Sequence, residues 1–247
     1  MKKSISIWSF PQGMKIVDCI KLAKNAGYEG IELALNETGE MSLESSQDEI
    51  LSYKKSSEEI GIKLSSLASG LYWSYSLTSN NPQTREKAKY IVKKQLDAAA
   101  LLCVDTILVV PGAIGVDFIP DSEVIEYDIA YDRALEAMKE LAPYAESKKV
   151  SIGIEMRDFI DKIGSNYVGA YFDVGNVIYS GYPEHWIKIL GNRIKKVHFK
   201  DYKREVGSLA GFVDLLSGDV NYPAVIKALK DVGYNSFVTA EMIPPYK

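Results

Sequence analysis

The sequence predicts an α/β fold, a (β/α)8 TIM barrel, and three observations carry that prediction. Short, almost wholly apolar runs recur along the chain, as strands covered on both faces must. Between them lie segments whose apolar residues repeat with a period near 3.6, the period of a helix. The passage from helix to strand is also written the same way repeatedly. "LAKNAGYEGIELAL" at residues 22–35 and "ALKDVGYNSFVTAEM" at 228–242 each give the end of an amphipathic helix, a glycine, a tyrosine and a strand.

In chain order the expected strands are Ser4–Trp8, Gly30–Leu33, Lys63–Ser69, Thr106–Val110, Val150–Glu155, Val168–Asp173, Ile194–Phe199 and Phe237–Glu241. Strands alternating with helices over 247 residues fit one barrel, a single domain of residues 1–247. An open doubly wound sheet is the alternative. It usually carries a glycine-rich phosphate loop after its first strand, where this chain has "SFPQGMK". Ala88, Ile91, Val92, Gln95, Leu96, Ala99 and Leu102 form one helical stripe, and Tyr131, Ala134, Leu135, Met138, Leu141 and Ala145 another. Pro143 is expected to kink that second helix. Gly27, Gly61, Gly164, Gly191 and Gly233 fit helix C-terminal caps, whereas "LLCVDTILVV" and "ESKKVSIGIE" make the same step without a glycine. After Glu241 only "MIPPYK" remains, too short and proline-rich for a helix, so the eighth helix is expected to be missing from this chain.

Composition narrows the function. Lys and Arg number 29 against 33 Asp and Glu, a net charge of −4 that speaks against a nucleic-acid partner. The two cysteines, Cys19 and Cys103, stand in apolar, helical surroundings and read as small buried hydrophobes in a reducing compartment. "MKKSISIWSF" has no apolar run behind its lysines, and no stretch approaches the roughly 20 apolar residues of a membrane span. The expectation is a cytoplasmic protein without a membrane partner.

In such a barrel the active site lies at the C-terminal ends of the strands. There the fifth strand ends in Glu155, the sixth in Asp173 and the eighth in Glu241, while the seventh carries His198. Side chains alternate along a strand, so one position near each tip can point into the mouth. Carboxylates gathered at one rim repel unless a cation joins them. With one imidazole they suit a single divalent cation such as Mn, Co, Mg or Zn. Singly, each residue has a plainer reading: Asp173 could cap the turn of "DVGN", and His198 could be a core histidine. His185, on a helix, reads as structural. Lys200 lies two residues past His198 and should share its face, with Arg204 following in the loop; a cation pair there would suit a phosphate or a sugar hydroxyl. Trp8 could wall the pocket, and Glu32, Ser69 and Asn176 complete the candidate substrate contacts.

These motifs resemble one family. "NAGYEGIEL", "SIGIE", "YFDVGN", "KKVHFKD", "LLSGDVNYPAVIKALKDVGY" and "VTAEM" are similar to the sugar-phosphate isomerases and epimerases of the xylose-isomerase-like TIM-barrel superfamily, especially ketose 3-epimerases and hexulose-phosphate isomerases. The resemblance implies Glu155, Asp173, His198 and Glu241 as metal ligands, Glu155 and Glu241 as the paired acid and base, and Arg204 as a substrate contact. It also implies a homo-oligomer, a dimer or tetramer, acting on a small sugar or sugar phosphate through an enediolate. The chain departs from the family in two further places. Epimerases of the family often carry a histidine shortly after the sixth-strand aspartate, where this chain has Val174, Gly175 and Asn176. Family members usually have a substantial loop after the fifth-strand glutamate, whereas Glu155 here runs straight into "MRDFIDKIG", so that loop is expected to be absent. Three other readings stay open: a metal-dependent lyase of the inosose-dehydratase type, an apurinic-endonuclease-like nuclease, and a non-catalytic sugar-binding barrel. The nuclease would need more histidines and a basic face than this chain offers.

Overall fold

The computed structural model describes residues 1–116, 119–154, 157–179 and 181–242. Its barrel strands are β1 (Lys2–Ser6), β2 (Gly30–Ala34), β3 (Lys63–Ala68), β4 (Thr106–Leu108), β5 (Ser151–Ile154), β6 (Val168–Asp173), β7 (Ile194–Phe199) and, after the short pair β8 (Asp201–Tyr202) and β9 (Phe212–Val213), β10 (Phe237–Ala240). The barrel closes in the order β1-β10-β7-β6-β5-β4-β3-β2, while β8 and β9 form a separate antiparallel ribbon. The helices are α1 (Ile16–Asn25), α2 (Gln47–Ile60), α3 (Pro82–Leu102), α4 (Tyr127–Lys148), α5 (Arg157–Ile163), α6 (Val174–Ile178), α7 (Pro183–Leu190) and α8 (Tyr222–Asp231).

By its contacts the chain divides into two units. One comprises residues 34–52 and 66–169. Its α3 buries the stripe read from the sequence, Gln95 included. That glutamine is fully buried because it is fully paired. It accepts from the Tyr72 hydroxyl at 2.5 Å and donates to the carbonyls of Leu67 and Leu108 at 2.8 and 3.2 Å, tying α3 to β3 and β4. Helix α4 continues past Pro143 to Lys148. The two helix-to-strand steps without glycine are made by Cys103 and Lys149, which adopt the left-handed conformation themselves at φ 57° and 58°. A cap projects from the helix end, so Cys103 is exposed, against the expectation of a buried thiol; Cys19 is buried in α1. β4 stops at Leu108 rather than Val110, although the Val109 amide still donates to the Gly153 carbonyl at 3.0 Å.

The other unit comprises residues 1–33, 53–65 and 170–247. Its sheet is set by parallel register: Asp173 lies opposite His198 across β6 and β7, and His198 opposite Thr239 across β7 and β10. Helices α1 and α8 bury Ile16, Cys19, Ile20 and Ala23, and Tyr222, Val225, Ala228 and Leu229, each set one helical face. Asn221 caps α8, its side-chain oxygen accepting from the Ala224 amide at 3.1 Å. β1 ends at Ser6, and Trp8 falls in the single 3-10 turn Ile7–Ser9 instead of the strand, because the Ser6 hydroxyl accepts from the Trp8 amide and turns the chain. The expected tip residue Glu155, and Met156 after it, lie outside the described residues, between β5 and α5.

The β8–β9 ribbon was not legible in the sequence, and one carboxylate builds the turn around it. Asp201, 1% exposed, accepts backbone amides from Tyr202 and Leu216 at 2.9 Å and from Gly218 and Val220 at 3.1 Å. A methyl group at Gly218 would overlap that carboxylate. Asp201→Ala orphans these donors together, so it should lower stability by about 1–3 kcal/mol in urea unfolding. A loss below about 0.5 kcal/mol, the usual scale of a neutral surface change, would mean that the turn holds without it.

Candidate functional site

Register delivers three chemically active side chains to one place. Asp173 ends β6, His198 lies one residue before the end of β7, and Glu241 follows β10, its amide extending the ladder to the Phe199 carbonyl at 3.1 Å. The His198 Nδ1 is 2.5 Å from Glu241 Oε2 and 3.9 Å from Asp173 Oδ2. One ligand-competent atom from each residue lies within 4.8 Å of the others, and all three residues are buried. Asp173 does two jobs at once. Its Oδ1 accepts from the Asn176 amide at 2.9 Å and caps α6, while Oδ2 faces the cluster. Lys200 faces the same side as His198, and its Nζ reaches Asp173 Oδ2 at 3.2 Å and Glu241 Oε1 at 3.0 Å.

Glu32, from β2, lies behind the histidine with no exposed surface. Its Oε1 pairs with His198 Nε2 at 2.9 Å and its Oε2 accepts from the Tyr171 hydroxyl. The Tyr171 and His198 rings are 4.6 Å apart, centre to centre. Burial alone would favour every one of these groups in its neutral form, but their mutual charges win. Burial pushes the Glu241 carboxyl up, yet the His198 and Lys200 charges and hydrogen bonds take it down to about 2. Glu32 is likewise lowered, burial being outweighed by His198 and by the Tyr171 hydrogen bond. His198 is raised well above its ordinary range, burial being outweighed by Glu32 and Glu241, and Lys200 is raised against burial by Asp173 and Glu241.

Glu155 lies outside the described residues. Trp8 is half-buried in its 3-10 turn. Asn176 is exposed on α6 and contributes its backbone amide to the Asp173 cap. Arg204 is exposed, its guanidinium donating to the Gly181 carbonyl at 2.6 Å and lying 4.8 Å over the Tyr182 ring, while its backbone amide donates to Asp219. Ser69, in the other unit, is buried and its hydroxyl donates to the Leu35 carbonyl at 2.9 Å. His185 is exposed on α7 beside Tyr182. The sequence reading missed Tyr171, although it stands two residues before Asp173 and strand alternation puts it on the same face. It also missed Gly175, where an added methyl group would overlap the Lys200 side chain.

The donor set fits a divalent cation. Two carboxylates and one imidazole, buried and mutually close, are the hard and borderline ligands that Mg, Mn, Co and Zn accept. The second ring nitrogen of the histidine is held by a carboxylate, the arrangement that orients metal-binding imidazoles.

The charge pairing makes a pH prediction for the metal-free protein. Glu241 is lowered on folding, so its contribution is present above its ordinary value of 4.5 and is lost as pH falls toward about 2. His198 is raised, so its contribution is present below 6.5 and is lost as pH rises through its elevated folded value. Glu241→Gln should therefore flatten the acid limb of stability against pH between 4.5 and about 2, read by denaturant titration at stepped pH. An acid limb identical to that of the wild type would refute the pairing.

No curated protein matches the chain by sequence. Among solved structures, a D-psicose 3-epimerase crystallised in the presence of D-fructose superposes with a TM-score of 0.80 at 20% identity, over 98% of this chain and 84% of that one. A D-psicose 3-epimerase with D-tagatose from Clostridium cellulolyticum H10 gives 0.79 at 21% identity, over 100% and 86%. An IolI protein with a bound zinc atom gives 0.78 at 18%, over 99% and 90%. At these identities the superpositions speak to fold. The sequence pattern of one family, described as xylose isomerase-like TIM barrel, matches residues 20–246, and the chain belongs to that family.

Proposed function

We propose that this protein is a divalent-metal-dependent isomerase or epimerase of a ketose or ketose phosphate, with residues 1–247 acting as one barrel domain. The observation that carries the reading is the buried convergence of Asp173, His198 and Glu241 at the ends of adjacent strands. These residues, with Glu155 after β5, would hold the cation. A bound Mn, Co, Mg or Zn ion would supply Lewis acidity for the negative charge that builds on the sugar oxygens. The chain's part is proton transfer beside the carbonyl. One of Glu155 and Glu241 removes the proton from carbon, and the other returns one to the opposite face or to the neighbouring carbon, passing through an enediolate. His198 and Lys200 keep the Glu241 carboxylate ionised, the form a general base needs, while lowering its basicity. Lys200 would bind a hydroxyl or phosphate end of the substrate, and Arg204 would join it on leaving the Gly181 carbonyl. Trp8, Asn176 and Ser69 stand as further candidate contacts.

The neighbours crystallised with D-fructose, D-tagatose and zinc support a sugar substrate and a metal. The absence of a histidine among Val174, Gly175 and Asn176 distinguishes this chain from epimerases that carry one there, so phosphorylated ketoses belong in the substrate screen. The working expectation is a cytoplasmic dimer or tetramer; among the described residues no helix is long and apolar enough to cross a membrane.

Divalent-metal content is measured first, beside His198→Ala. The expected result is about one ion per chain, lost in the variant. Glu155→Gln and Glu241→Gln should each abolish ketose turnover, and near wild-type activity in either would break the two-glutamate scheme. A dehydrated product would replace isomerisation with elimination on the same site. Absence of bound metal, with no thermal shift on adding any, would move the protein to the sugar-binding reading.

A further inference from the structure

His198 is held from two strands other than its own. Glu32 comes from β2, Tyr171 from β6 and His198 from β7. Both Glu32 oxygens are engaged, Oε1 with His198 Nε2 at 2.9 Å and Oε2 with the Tyr171 hydroxyl, in a position with no exposed surface. Tyr171 also packs its ring against the imidazole at 59°. We propose that Glu32 and Tyr171 are positioning residues that lock the His198 ring with Nε2–H on Glu32 and Nδ1 toward Asp173 and Glu241. Turning the ring over would bring a C–H to Glu32 and strip a buried carboxylate of its donor, which is costly. In the locked orientation Nδ1 is the nitrogen turned to the cluster, and a cation binding there would take the place of its proton. Tyr171 acts one step further back, holding Oε2 so that Oε1 points at Nε2. Glu32 is thereby assigned to orienting the histidine rather than to touching substrate.

The consequence for metal binding rests on the metal reading above; the consequence for the ring does not, and the test uses both. In the full-length, metal-free protein, the His198 Nε2–H proton should give a far-downfield, slowly exchanging NMR signal close to the Tyr171 ring. Glu32→Gln replaces a charged acceptor with a neutral one and should move that signal upfield and speed its exchange. In a chelator competition with Mn2+ or Zn2+, Glu32→Gln should bind about 10–100-fold more weakly than wild type. Tyr171→Phe, which deletes the hydroxyl that donates to Glu32 Oε2, should weaken metal binding less than Glu32→Gln and lower the melting temperature modestly. If Glu32→Gln does not fold, Tyr171→Phe alone decides. The proposal is overturned if no protected Nε2–H is found, or if folded variants bind metal as the wild type does. If the wild type takes up no metal, the metal reading fails while the proton signal still decides this one.

Discussion

His198 has a carboxylate on each ring nitrogen, and this pairing of buried charge is the constraint to which the surrounding structure conforms. Glu32, Asp173 and Glu241 are 0%, 3% and 7% exposed. A carboxylate in such a place is tolerated when it is paired and hydrogen-bonded, because an uncompensated buried charge costs several kcal/mol. His198 and Lys200 provide the compensation, and each touches two of the acids or more. The charges that would hold a cation are thus the charges whose repulsion the fold has to manage.

The geometry needed for this pairing is met by backbone close approach as much as by side-chain choice. Parallel register sets Asp173 opposite His198, and the β10 ladder carries Glu241 to the same level. Lys200 enters because residue 175 has no side chain, and its carbonyl accepts from the Tyr222 hydroxyl at 3.0 Å. The next residue, Asp201, spends its carboxylate on backbone amides and so fixes the turn that follows. Arg204 therefore starts from a defined place, on the Gly181 carbonyl and the Tyr182 ring.

Much of this was readable one residue at a time. The recurrent helix, glycine, tyrosine and strand grammar anticipated the left-handed caps at Gly27 and Gly233, whose φ values are 82° and 75°. The spacing of Lys200 from His198 anticipated their shared face. Asp173 makes the cap of its plainer reading with one oxygen, and turns the other toward Lys200 and His198. Trp8 escaped because a serine two residues earlier could turn the chain at Ser6, a local hydrogen bond that apolar alternation does not register. Tyr171 escaped because a tyrosine in an apolar run reads as core until its hydroxyl finds a partner from another strand.

By itself the sequence determined the alternation of strand and helix, the family pattern, and the identity of the polar residues at the strand ends. These are local properties, set by side-chain periodicity and by backbone preference over a few residues. Tertiary structure alone decided that Nδ1 of His198 faces Asp173 and Glu241 while Nε2 faces Glu32, and that Lys200 lies between Asp173 and Glu241. The separations along the chain are 166 residues between Glu32 and His198 and 139 between Glu32 and Tyr171. No local preference couples positions so distant; closure of the strands does, by bringing their ends to one rim where charge must be balanced.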